Sequence, residues 1–112
     1  MQALGRLKAG AMNRMEAEYD RELALRVRAG VVAWYRFEGI TLKLGADCRF
    51  TPDFFVMLAN AELACFEVKG TAFADDAKVK LRVAAAMFPF RFYLVTRPTK
   101  GGGFIEEEVP SA

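Results

Sequence analysis

Asp53 follows Pro52 and opens the apolar run Phe54-Phe55-Val56-Met57-Leu58, while Glu67 and Lys69 close the run Cys65-Phe66-Glu67-Val68-Lys69. In a strand, residues two apart share a face, so Glu67 and Lys69 project with Leu63 and Cys65, and Phe66 and Val68 point the other way. Charge that continues an apolar row is costly unless the end of the strand opens into a cleft. The competing reading is a solvated ion pair between neighbours, worth under about 1 kcal/mol. If the two runs are hairpin partners joined near residues 59–61, Asp53 falls within a few residues of Glu67. Two carboxylates that close repel unless something positive lies between them. A hard divalent cation, Mg²⁺ or Mn²⁺, suits that place, because it takes oxygen ligands and keeps positions for water and phosphate oxygens.

A third carboxylate lies upstream. At about 100° per residue, Met12, Met15, Tyr19, Leu23 and Val27 share one arc of a helix, and Glu16 falls inside it. Asp20, one turn further on, is the competing choice. Contact with Arg26, or snorkelling at the helix rim, is the structural alternative for Glu16. The basic residues Lys78, Lys80 and Arg82, with Arg91, Arg97 and Lys100, could line a phosphate-binding surface, although alternating cations on a helix also make an ordinary solvated face. Lys78 and Arg82 are four apart, which makes them the better pair for a DNA backbone. Glu106-Glu107-Glu108 reads as an exposed acidic end without a site. Trp34, Tyr35, Phe88, Phe90, Phe92 and Tyr93 read as core.

The rest of the composition removes whole classes of chemistry. The chain has no histidine, which excludes Ser-His-Asp and Cys-His nucleophiles and His-Cys zinc sites. Two cysteines, Cys48 and Cys65, cannot make a disulfide scaffold and read as reduced core residues in a cytoplasmic protein. No apolar run reaches the roughly 18 residues of a membrane span, and Arg6 and Lys8 interrupt any signal-peptide core. A net charge of +2 is too small to imply nucleic acid by bulk electrostatics. The 112 residues fit one domain, 1–112, with residues 1–12 as a fraying lead.

The elements that must position these residues follow from local pattern. Asn13 predicts the N-cap of a helix to about Arg28, ended by Gly30. Val31–Phe37 predicts a strand, Ile40–Leu44 its hairpin partner, and Cys48–Leu58 a longer strand deformed by Pro52 beside Asp53. A strand over Glu62–Lys69 is followed by a connector from Thr71, a helix over Ala77–Phe88 capped by Asp75 and Asp76, and a buried strand over Phe90–Thr96. The three glycines 101–103 turn the chain into a last strand, Phe104–Val109. Together these predict a mixed α/β sheet with helices packed on it.

Pro52-Asp53, then Glu67-Val68-Lys69, preceded by a helical Glu16, resembles the PD-(D/E)XK nuclease superfamily. The likeness spans roughly residues 13–96 and leans toward small phage-type single-domain endonucleases similar to junction-resolving enzymes; Glu-Val-Lys-Gly, Asp-Asp-Ala-Lys-Val-Lys and Phe-Pro-Phe-Arg-Phe add to it. The resemblance implies a restriction-endonuclease-like αβββαβ core and a Mg²⁺-dependent endodeoxyribonuclease, with Mn²⁺ able to substitute, acting in a bacterial host cell if phage-encoded. It implies Asp53, Glu67, the Val68 carbonyl and Glu16 as metal ligands, with Glu16 direct or through water, and Lys69 orienting or helping to deprotonate the attacking water. Branched DNA is the expected substrate and a homodimer the expected assembly, since the chain carries no extra domain to read sequence. A nuclease subunit targeted by a DNA-binding partner, or a non-catalytic DNA-binding or assembly module, are the alternatives.

Overall fold

The computed structural model of the chain describes residues 10–69 and 75–111. The N-terminal lead through residue 9, and the Gly70 turn with the connector from Thr71, lie outside the described residues. The first helix, α1 (Arg14–Arg28), begins at Asn13 in a reciprocal cap: the Asn13 side chain accepts the Glu16 N–H, and the Glu16 carboxylate accepts the Asn13 N–H. Two of the N–H groups that every helix start leaves orphaned are satisfied this way. Gly30, at φ +79°, takes the left-handed turn that ends the helix.

Five strands form the main sheet in the order β1 (Val32–Phe37), β4 (Phe54–Leu58), β5 (Leu63–Val68), β6 (Arg91–Thr96) and β7 (Ile105–Glu108). The pairs are antiparallel except β5 with β6, which run parallel. A parallel pair needs a crossover, and α2 (Asp75–Met87) lies within that crossover. The architecture is thus a compact α/β fold, a mixed sheet with two helices, as the pattern predicts. Asp75 and Asp76 fall inside α2 rather than before it.

The sheet separates two cores. On one face α1 brings Tyr19 and Leu23 against Val32, Phe54, Val56, Phe66, Val68 and Val95. On the other, α2 brings Leu81, Ala84 and Ala85 against Cys65 and Phe92, and the small hairpin of β2 (Leu42–Gly45) and β3 (Cys48–Phe50) adds Leu42 and Phe50. Central strand β5 is therefore buried from Ala64 to Val68, on both faces, as expected for a strand covered by a helix on each side.

That hairpin corrects the local pairing. Leu42–Gly45 pairs with Cys48–Phe50, not with β1, and residues 48–58 divide into two strands of different sheets. Pro52 supplies no N–H to a ladder, and the chain bends there so that β4 returns along β1. Tyr35 and Phe37 pack on Phe54, and the Glu38 N–H donates to the Asp53 carbonyl at 2.7 Å, so long-range aromatic packing outweighs the nearest-neighbour hairpin. Gly39 sits where a Cβ would lie 3.1 Å from the Arg36 Cβ and 3.2 Å from that of Phe55. The chain leaves β1 through a tight space, where a Cβ would press its neighbours by a few tenths of an ångström.

Three other expectations change. Trp34 is 41% exposed; it stands on the outer strand, edge-on to Phe55. Arg26 does not meet Glu16 but turns to Glu22 and Glu106. Glu106 is no idle acidic end: it accepts the hydroxyl of the fully buried Tyr19 at 2.6 Å and a bond of the same length from Arg26. Cys65 is buried and Cys48 half-buried, both free. Burial, with the Glu67 charge added, pushes the Cys65 thiol up to about 12, so it stays protonated.

Candidate metal and phosphodiester site

The antiparallel register of β4 and β5 sets Phe54 opposite Phe66 and Phe55 opposite Cys65. Continuing it by one step sets Asp53 opposite Glu67, where the bend at Pro52 ends the regular ladder. At that point the side chains replace the ladder bonds. The Asp53 N–H donates to Glu67 Oε1 at 3.0 Å, and the Val68 N–H donates to Asp53 Oδ2 at 2.7 Å. Each carboxylate is thus held by the backbone of the other's segment, and both groups are buried, Asp53 at 7% and Glu67 at 5% exposure. Lys69 Nζ lies 3.0 Å from Glu67 Oε2. On β5, Cys65 faces the α2 side, and period-two alternation directs Glu67 and Lys69 the same way.

Two carboxylates and one ammonium leave this buried cluster short of positive charge. Burial first, and then the Glu67 charge, pushes the Asp53 carboxyl up to about 9; Glu67 is also raised, chiefly by burial, against the pull of Lys69. Burial works to lower Lys69, but Glu67 and Asp53 outweigh it and hold the group above the usual lysine range. Lys69 here is a firm cation.

The stability of the metal-free protein should follow this proton. A carboxyl whose folded-state pKa is raised contributes fully below its unfolded value, near 4, and loses that contribution as pH rises through the folded value near 9. Without metal, the denaturant midpoint should therefore fall between pH 5 and pH 9, and saturating Mg²⁺ should flatten the slope. Urea titrations across that range with and without Mg²⁺ check it. A midpoint rising with pH would reverse the sign.

The donor set fits a hard divalent ion. Two carboxylates and the Val68 carbonyl are all oxygen, and Mg²⁺ commonly takes one or two carboxylates and fills its shell with water and phosphate. A cation would also remove the like-charge stress that raises Asp53. Among the described residues, no three His, Cys, Asp or Glu side chains come together closely enough to hold an ion by themselves. Glu16 stands half-buried in the first turn of α1 with its carboxylate on the Asn13 N–H. Its charge is felt at both Asp53 and Lys69. Asp20 offers its backbone carbonyl to the Tyr35 hydroxyl at 3.1 Å.

The proposed DNA contacts lie on α2. Lys78 and Arg82 are exposed and Lys80 half-buried. Arg91 is tied to Glu62 and Glu108, which takes it out of any open basic surface. The cap role of Glu16 is readable from Asn13 three residues before it; the Asp53–Glu67 interlock is not, because it depends on register. No family model matches the chain, nor does any curated protein or solved structure.

Proposed function

We propose that the chain is a Mg²⁺-dependent endodeoxyribonuclease of the PD-(D/E)XK type, with Mn²⁺ able to substitute. The observation that carries this reading is the buried Asp53–Glu67 pair with Lys69 beside it, formed where the bend at Pro52 opens the ladder. A structural role alone gives little reason to bury two carboxyl groups opposite each other, since apolar residues there would cost less. Leaving out the β2–β3 hairpin, the element order is α1, β1, β4, β5, α2, β6, which supports a restriction-endonuclease-like αβββαβ core.

Asp53, Glu67 and the Val68 carbonyl would hold the ion, with Glu16 reaching it directly or through water. The ion supplies charge for the attacked phosphate and lowers the pKa of a bound water. Lys69, held as a cation, would orient that water and the phosphate oxygens. On α2, Lys78, Lys80 and Arg82 would meet the phosphate backbone, which fixes position without reading bases. That favours recognition of DNA by shape, so branched DNA is the substrate class. Exposed Trp34, Met57 and Val31 support assembly as a homodimer.

A metal titration on matched substrates tests the reading. In Mg²⁺ the protein should cut a four-way junction at least about tenfold faster than a linear duplex of the same sequence, a preference of about 1.4 kcal/mol. Equal rates would remove the shape preference and leave the nuclease. No cleavage of duplex, single-stranded, flapped or four-way DNA at any Mg²⁺ or Mn²⁺ concentration would remove the nuclease, and retained DNA binding would then favour a non-catalytic or partner-targeted module.

A further inference from the structure

A second feature lies beyond the carboxylates, where the start of α1 meets the end of β6 and the loop that follows it. A depression of about 490 Å³ is walled there by Arg14, Met15, Glu18, Arg97, Pro98 and Lys100. Three cations and one carboxylate line it, and two of the cations are on that carboxylate. Glu18 Oε1 accepts Arg97 Nη1, and Arg14 Nε lies 3.7 Å from Glu18 Oε2. The Arg97 guanidinium is 18% exposed and sits over the Phe104 ring, 4.0 Å from its centroid. Held by a ring and a carboxylate, that planar fork gives up little freedom when an anion arrives. Arg14 and Lys100 stand exposed at the rim, where they can follow a ligand.

This depression opens at the same end of the sheet as the carboxylate pair. The Lys69 N–H donates to the Val95 carbonyl at 2.9 Å, and Arg97 follows two residues later on the same segment. Met15, in the wall, adjoins Glu16, whose charge reaches Asp53 and Lys69. An excess of cations around a fixed guanidinium suits an oxyanion, and beside a site with the chemistry of a phosphodiester that oxyanion is a phosphate ester.

We infer that the Arg14–Arg97–Lys100 depression is a phosphate subsite, gripping a backbone phosphate of the strand whose neighbouring diester lies at Asp53 and Glu67. The identity of that strand as DNA rests on the proposed nuclease reading; the oxyanion chemistry does not. The substrate then crosses the sheet end between two basic regions, α2 on one side and the start of α1 on the other.

The test is a binding titration in EDTA, where metal-dependent cleavage is silent. A fluorescein-labelled duplex of about 20 base pairs is followed by anisotropy over a range of salt concentrations. Arg14→Gln combined with Lys100→Gln should weaken binding about tenfold and lower the slope of log affinity against log salt by up to about 0.9, the share of the one phosphate held there. Both positions are exposed, so the fold should persist, and an unchanged thermal midpoint checks that. Arg28→Gln, at the opposite end of α1, should bind as wild type. A double variant with wild-type affinity and slope overturns the subsite, as does a wild-type chain that does not bind the duplex. If the double variant loses binding while the wild type cuts nothing in Mg²⁺ or Mn²⁺, the nuclease reading falls and the subsite stands.

Discussion

Asp53→Asn should abolish metal-dependent cleavage, by about 10³-fold or more, and at the same time make the metal-free protein more stable by about 1–3 kcal/mol at neutral pH. The amide oxygen can still accept the Val68 N–H that now meets Oδ2. What disappears is a carboxyl that burial and Glu67 hold at about 9, and with it the cost of keeping a proton there near pH 7. The gain should shrink as pH falls and vanish below about pH 3, where Asp53 is protonated in folded and unfolded chains alike. Glu67→Gln should be as inactive but gain little stability, because it also loses the ionic partner of Lys69. Mg²⁺ should raise the thermal midpoint of wild type and of neither variant. If Asp53→Asn cut at the wild-type rate, the carboxylates would have no part in catalysis; a less stable variant would mean that the pair is a structural clamp.

Glu106→Ala should cost about 2–3 kcal/mol, although it lies on a short outer strand. Its carboxylate accepts the hydroxyl of Tyr19 and two bonds from Arg26. Tyr19 is fully buried, and burial followed by the bond to Glu106 holds its hydroxyl far above the usual tyrosine range. Removing the acceptor strands that hydroxyl in the α1-side core. Tyr19→Phe removes the donor as well, so the double variant should be less destabilised than the sum of the singles, with a coupling of about 1 kcal/mol or more. Urea denaturation of the four proteins measures it. Additive losses would show that Glu106 acts through Arg26 alone.

The sequence carries the local signals of this fold well. Asn13 and Gly30 mark the ends of α1 because caps depend on residues within one turn. Strands β1 and β6 follow from their β-branched and aromatic content. What stays hidden is pairing: Ile40–Leu44 alternates well enough to partner β1, yet the edge of β1 is taken by β4, whose Phe54 packs with Tyr35 and Phe37 from far along the chain. Asp53 and Glu67 stand out because charge interrupts apolar runs. Their interlock through each other's backbone, and the sharing of Glu18 by Arg14 and Arg97, need a fixed register and a folded loop, which composition does not encode. The role of Glu106 is invisible for the same reason, since its partners Tyr19 and Arg26 belong to the other end of the chain.

The outer strand β7 consists of Ile105 and three consecutive glutamates, and at the opposite border of the sheet the pairing of β1 is interrupted between Val32 and Trp34. Rows of like charge and irregular ladders are poor templates for a neighbouring molecule's backbone. Both borders of the sheet thus carry features that disfavour its extension from molecule to molecule, a short acidic strand at one and a register shift at the other. Contact through side chains on the broad faces is then favoured over contact through the backbone at the sheet's edges.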